Sequence, residues 1–205
     1  MSLATAVAVV GFTVAVFFTP IWTGFEQERT GVSAITGYTP EQVRTVSARI
    51  LADVVIGPPE FAAAIDGQPV LDVAERAHMV DVYNVMRVFE ALVAVAFLTL
   101  IAIAWKKRRH GWMWRAVARG SGTLAIFGIV VGIAVVFFFD QAFLVFHLIV
   151  FPKGNFAFDP RTERLTQLFE DQFWTETSVG IALVGVVVAI GITLLARRRA
   201  GRLVD

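Results

Sequence analysis

Residues 83–105 read YNVMRVFEALVAVAFLTLIAIAW, and residues 106–110 follow as KKRRH. The stretch is polar at its start, with Arg87 and Glu90, and carries no charge from Ala91 to Trp105. At ~1.5 Å rise per residue, about 20 helical residues cross a ~30 Å hydrocarbon core. A basic cluster directly after such a run holds that end of a span in the cytoplasm. Three further stretches read alike. Residues 122–144 are uncharged until Asp140, 178–196 are rich in Gly, Val and Ile, and 3–22 carry no charge at all. β-Branched residues weigh little against helix there, because lipid demands internally satisfied backbone bonds. Phe18-Thr19-Pro20 is a poor cleavage context with no basic residue before it, so 3–22 reads as a retained helix.

Composition agrees. Of 205 residues, 57% are hydrophobic and 17% charged, against roughly 45–50% and 25% in soluble globular chains. A soluble chain this short could not hide such apolar blocks, and the mean hydropathy is +0.69. The formal net charge is +1, with Lys and Arg clustered near span ends, so no nucleic-acid footprint stands out. Cysteine is absent, which removes disulfides, thiolate nucleophiles and sulfur-ligated metals from consideration.

Orientation follows from Lys106, Lys107, Arg108, Arg109, Arg115 and Arg119 between the second and third spans, and Arg197, Arg198, Arg199 and Arg202 after the fourth. Both groups share a side, and the positive-inside rule makes it cytoplasmic. The expectation is a single membrane domain over 1–205 in a bacterial plasma membrane, both termini inside. Its spans are about 3–22, 83–105, 122–144 and 178–196, with a cytoplasmic loop at 106–121. Outside lie 23–82 and 145–177, with nine and five acids against four and three basic residues.

The first outer segment carries local signals. Thr39-Pro40-Glu41-Gln42 reads as an N-cap, a Pro at the first helical position and polar groups in the first turn, leading a helix to about Asp53. Gly57-Pro58-Pro59 breaks the chain. Phe61–Ile65 reads as a strand, Asp66-Gly67 as a hairpin turn into Val70-Leu71, and a helix from about Asp72 continues into the second span. The expected fold is all-α: a four-transmembrane-helix bundle with a small extracytoplasmic α/β cap. After two turns in Phe151–Pro160, the residues Thr162, Leu165, Leu168, Phe169, Phe173 and Trp174 make an apolar stripe, read as an interfacial amphipathic helix. Such a helix could wall a lateral entrance for lipid.

Chemistry rests on few residues. His78 precedes the second span, and Asp81, three residues on, shares its helix side and is placed to fix the imidazole's tautomer. Arg87 and Glu90 should pair with each other or line a polar cleft. His147 lies near the outer end of the third span, with Asp140 seven residues earlier on the same face. The topology gives His78 and His147 one side and one depth, a general-base arrangement backed by carboxylates. The plainer alternative puts both at headgroup level, in water. His110 stands in the cytoplasmic basic cluster and reads as a headgroup or orientation residue. Lys153, Arg161 and Arg164 could touch phosphate headgroups, as interfacial basic residues commonly do.

The run FHLIVFPKGNFAFDPRTERLTQLFEDQFW, Phe146 to Trp174, together with HMVDV, His78 to Val82, resembles a family of small four-span bacterial integral membrane proteins that includes the lipoprotein intramolecular transacylase. The resemblance spans nearly the whole chain. It implies an acyltransferase of the outer leaflet acting on a diacylglyceryl lipoprotein whose N-terminal cysteine has been freed by signal peptidase. The sn-2 acyl chain moves to that cysteine's α-amine, giving a lyso-form lipoprotein, and no cofactor is required. The family's catalytic histidines fall on His78 and His147. Glu163 stands where Asp is usual, and Glu170-Asp171 where Pro-Glu is usual.

The residues themselves leave other readings open. One is a non-enzymatic lipid-binding or accessory membrane protein, which uses the outer segment without the histidines. Another is an outer-face metal-dependent lipid hydrolase using His78, Asp81, Asp140 and His147, although the tight spacing of a metal motif is missing. Transport is less attractive with four spans. The expected partners are the lipoprotein substrate and membrane phospholipid, with no nucleic acid. A monomer suffices for this reading.

Overall fold

The structure is a computed structural model and describes residues 1–203. Its elements run α1 (Ser2–Phe17), α2 (Pro20–Arg29), α3 (Val32–Thr36), α4 (Pro40–Val55), β1 (Ala64–Ile65), β2 (Gln68–Pro69), α5 (Val73–Lys107), α6 (Gly111–Phe137), α7 (Phe139–Val150), α8 (Arg164–Leu168) and α9 (Asp171–Ala200). α5, α6 and α9 are each long and apolar enough to cross a membrane, and the bent pair α1 and α2 would make a fourth span. The fold is therefore an all-α membrane protein whose only strands, among the described residues, are a two-residue antiparallel hairpin.

The chain divides into two compact units. The first takes residues 1–15, 89–137 and the chain from 178 on. Its helices leave apolar side chains bare along their outer faces: Leu92, Val95, Leu98 and Ile101 on α5, Ile126, Val130 and Ile133 on α6, Leu183, Val187 and Leu194 on α9. A surface so apolar is stable in lipid and not in water. Between the helices small residues permit close approach. A Cβ at Gly11 would collide with Val93, and one at Gly120 with the backbone of Ser2. Ser121 and Thr193 share a buried hydroxyl hydrogen bond of 2.8 Å between α6 and α9.

The second unit, residues 16–88 and 138–177, carries a soluble-like core. Val43, Val46, Ile50 and Val54 along one face of α4 pack with Val32, Phe61, Val70, Leu71, Met79 and Leu168. α4 starts as its sequence dictates, with Pro40 after a capping box in which Thr39 and Gln42 satisfy each other's backbone amides. Asp66-Gly67 turns the hairpin, both residues at positive φ. Asp53 accepts from the Phe61 amide at 2.9 Å, holding the broken segment after α4. Buried Gln27 donates to Ser47 and to the Leu168 carbonyl, each at 2.8 Å, tying α2 to α4 and α8.

Three stretches depart from the simplest sequence reading. Thr19 and Pro20 start a new helix: the Thr19 hydroxyl accepts from the Trp22 amide at 3.3 Å, and α2 leaves α1 at 57°. The apolar run 122–144 is divided, α6 ending at Phe137 and α7 restarting at Phe139 after non-helical Phe138 (φ −139°, ψ 43°). No Pro or Gly marks that break.

The third is the apolar stripe 162–174, which is not one interfacial helix. Arg164–Leu168 forms a single short helix, and Phe173 and Trp174 belong to the first turn of α9, which runs on to Ala200. The cause is local. Gln27 takes the Leu168 carbonyl, Phe169 leaves helical geometry at ψ 68°, and the Trp174 amide restarts the ladder on Glu170 at 3.1 Å.

Candidate active site

Asp72 and Glu75 set the phase of α5. The Asp72 side chain accepts from the Glu75 amide at 2.8 Å, and Glu75 accepts from the Asp72 amide at 2.6 Å. This reciprocal capping leaves one Glu75 oxygen, which accepts from the Leu165 amide at 2.7 Å. One buried carboxylate thus fixes both the start of α5 and the segment entering α8. His78 follows three residues later, inside the second unit and ahead of the apolar run of α5.

His147 comes from the last turn of α7. Its Nδ1 lies 2.8 Å from the Phe143 carbonyl. A carbonyl only accepts, so Nδ1 carries the proton and, in the neutral ring, Nε2 keeps the lone pair. The His78 ring stacks on it, with centroids 6.2 Å apart and planes 26° apart. Both histidines are buried, at 6% and 8% exposure.

Aromatic rings close the site. Phe151 lies 4.8 Å from His78 and 5.5 Å from His147. Phe158 stands 5.5 Å from His78, while Phe143 and Phe156 stand 4.0 and 5.1 Å from His147. In this setting burial pushes the His78 imidazole below its ordinary range, His147 beside it adds to the effect, and Asp81 opposes it. Burial lowers His147 as well, against the Phe143 hydrogen bond. Two neutral imidazoles at neutral pH are the result. The Nδ1 of His78 has no hydrogen-bond partner among the described residues.

Asp81 does not orient His78 through that nitrogen. Its carboxylate reaches the 151–158 loop instead, accepting from Asn155 at 2.8 Å and from Lys153 at 3.2 Å. Lys153 is thereby engaged with protein, and Asp81 clasps the loop that bears Phe156 and Phe158. Asp140 is exposed in the first turn of α7, and seven residues of helix put it ~10 Å along the axis from His147. Arg87 donates to the Val54 and Val55 carbonyls at the end of α4 and covers the Tyr83 ring at 5.1 Å. Glu90 lies one turn further along α5.

The remaining basic candidates also have protein partners. Arg161 forms a fork with Asp159. Arg164 donates to the Thr36 carbonyl and Gln167, with Tyr38 under its guanidinium at 4.9 Å. Trp174 packs on Phe169 and Phe173 and lies 6.4 Å from Phe143. No three His, Asp or Glu side chains gather at metal-binding distance among the described residues, so His78, Asp81, Asp140 and His147 do not form the ligand set the hydrolase reading needs.

The sequence profile of the lipoprotein intramolecular transacylase family, Lit, matches residues 1–174. The chain belongs to the Lit family. It is thus a multi-pass membrane protein of a bacterial acyltransferase family whose reaction uses diacylglyceryl lipoproteins. No curated protein matches it significantly. Among solved structures it is similar to the lipoprotein intramolecular transacylase Lit from Bacillus cereus, at 18% identity and a TM-score of 0.81, covering 98% of this chain and 93% of that one. Two variants of the Bacillus cereus Lit, with a histidine replaced by arginine or by alanine, match with TM-scores of 0.73 and 0.70 at 18% and 19% identity. They cover 98% of this chain and 89% and 90% of theirs. Against this Lit fold, the residues missed from sequence are the walls: Phe143, Phe156 and Phe158, and Asn155 as the partner of Asp81. The alternation FPKGNFAF carried a signal for the rings, but Asn155 stands 74 positions from the group it holds.

Proposed function

We propose that this Lit-family chain transfers the sn-2 acyl group of a diacylglyceryl lipoprotein to the α-amine of its N-terminal cysteine, with His78 and His147 as catalytic residues. The observation that carries the reading is the stacked, buried histidine pair in an aromatic-walled site. The amine nitrogen attacks the ester carbonyl, a tetrahedral intermediate forms, and the carbon–oxygen bond to the glyceryl group breaks. The amine loses a proton and the departing oxygen gains one, so the products are an N-acyl amide and a free sn-2 hydroxyl.

His147 suits the base, because its Nδ1 proton is committed to the Phe143 carbonyl and Nε2 is left with a lone pair. His78, with Nδ1 unpartnered, suits hydrogen-bond donation from Nε2 to the oxyanion, and the proton that His147 takes from the amine is the one the leaving glyceryl oxygen gains. Nucleophile and ester belong to one molecule, so orientation supplies much of the barrier reduction. The rings of Phe143, Phe156 and Phe158 match an acyl chain and exclude water, and Trp174 extends that wall. No cofactor takes part.

The charge bias supports a topology with both termini and the loop at 106–121 in the cytoplasm, and 23–82 and 145–177 outside with the site. In that placement Arg161 and Arg164 face the outer headgroups, although each also has a protein partner. The test is mass spectrometry of lipoprotein N-termini from a host lacking this activity, with and without the chain. Appearance of N-acyl, S-monoacylglyceryl peptides supports the proposal. Unchanged diacylglyceryl peptides at full expression refute it.

A further inference from the structure

Asn155 sits in a loop that turns back onto α5. Gly154, at φ 74°, donates its amide to the Phe151 carbonyl at 3.0 Å, and the chain then brings Asn155 to Asp81. The bond there has one sense. A carboxylate only accepts, so Nδ2 of Asn155 is the donor, and Oδ1 is held on the other branch of the amide. That oxygen is buried and has no hydrogen-bond partner among the described residues. A buried acceptor is destabilising unless some donor reaches it, and a bound ligand is one source of that donor.

The neighbours of Asn155 narrow the choice. Asp81 lies one turn beyond His78 on the same side of α5. Phe156, the next residue in the loop, stands 5.1 Å from His147, and Phe158 stands 5.5 Å from His78. Asn155 is thus anchored between the wall of one histidine and the helix turn that carries the other.

We propose that Oδ1 of Asn155 holds the α-amine of the lipoprotein's N-terminal cysteine for attack, an inference that rests on the transacylase reading above. A neutral primary amine has two N–H bonds and one lone pair. One proton goes to Nε2 of His147, the other N–H donates to Asn155, and the lone pair forms the bond to the ester carbonyl carbon. The proton on His147 then passes to the departing glyceryl oxygen, and the amide product keeps its remaining N–H on Asn155. An amide oxygen suits this task better than a carboxylate. A free α-amine titrates at about 7.7–8.0, and a carboxylate would hold it as an ammonium, which has no lone pair to attack with. Lys153 pairs with the Asp81 charge behind the amide, at 3.2 Å. Asn155 thereby favours the amine over water as acyl acceptor.

Purified full-length protein in detergent would be given a synthetic S-dipalmitoylglyceryl-cysteinyl peptide with a free α-amine, and the products read by mass spectrometry. Absence of N-acyl product from the wild type refutes the transacylase reading itself, and this proposal with it. Where the wild type transfers, Asn155→Leu should lower the N-acyl product about ten-fold. Water should then take a larger share, giving free palmitate and a monoacylglyceryl peptide whose amine is bare. Asp81→Asn keeps an acceptor for Nδ2, so it should slow transfer by a few-fold with the product ratio unchanged. A wild-type rate in Asn155→Leu, slower transfer without the rise in hydrolysis, or an equal rise in Asp81→Asn overturns the proposal and leaves Asn155 as a loop anchor. Should Asn155→Leu fail to insert, Asn155→Thr decides by the same ratio, since it offers Asp81 a hydroxyl donor and carries no carbonyl.

Discussion

His147 has one nitrogen spoken for and one free to work, and that asymmetry makes its removal severe. His147→Gln and His78→Ala should each lower acyl transfer by about 10²–10⁴-fold, the usual contribution of a positioned proton carrier. Circular dichroism and membrane insertion should be unchanged, and lipoprotein mass spectra report the loss. Full transfer by the double variant would remove both histidines from the mechanism. Asp81→Asn should cost only about a few-fold, because the loop loses an ion pair that is partly exposed, worth ~1 kcal/mol or less. The pH profile follows from burial. Both imidazoles are held below their ordinary range, so at pH 6.5, where an unfolded histidine is about half protonated, each is more neutral than it would be in the unfolded chain. Stability should therefore begin to fall near pH 6.5, where the unfolded chain binds the extra protons, whereas acyl transfer should keep most of its rate there and decline only at more acid pH. A rate already halved above pH 6.5 would contradict this. The pair itself was legible in the sequence, from two histidines on one predicted face. Their wiring was not: helical spacing offered Asp81 to His78, and only the fold shows the carboxylate turned to Asn155 and Lys153.

At the scale of elements, Glu75 ties two segments together through one buried carboxylate. It caps α5 and binds the Leu165 amide from inside the core at 1% exposure. Glu75→Ala should lower stability by about 2–4 kcal/mol, as a lost cap and a lost charge-assisted bond leave two amides wanting. Thermal unfolding in detergent measures it, and a shift within error would show the cap redundant. Signals confined to a few neighbouring residues were readable beforehand. Thr39-Pro40-x-Gln42 announced α4, and Asp66-Gly67 announced the hairpin. Breaks imposed from a distance were not. The helix stop at Phe169 depends on Gln27, 141 positions from the carbonyl it takes, and Phe138 interrupts an unbroken apolar run whose hydropathy says only that the segment suits lipid. Thr19-Pro20 did hold a start signal, an N-cap before Pro at the first helical position, but inside a long apolar block it was outweighed by length.

For the whole molecule, the long helices and their basic ends were plain from composition, while the division into two units was not, because α5 and α9 each pass through both. Hydropathy describes a helix's solvent and not its neighbours. Single cysteines in this cysteine-free chain test the orientation. Gln68→Cys should react with an impermeant maleimide on intact cells, and Arg109→Cys only after permeabilisation. Labelling in the opposite sense would invert the topology and move the histidines to the cytoplasmic face. The hairpin tip has a practical use beyond that test. Gly67 has nothing within 4 Å of where a side chain would stand, and the turn carries no part of the core. Such a tip tolerates inserted sequence. In the topology proposed above, an epitope placed between Asp66 and Gly67 would become an external handle, by which the enzyme could be drawn from living cells without touching either terminus.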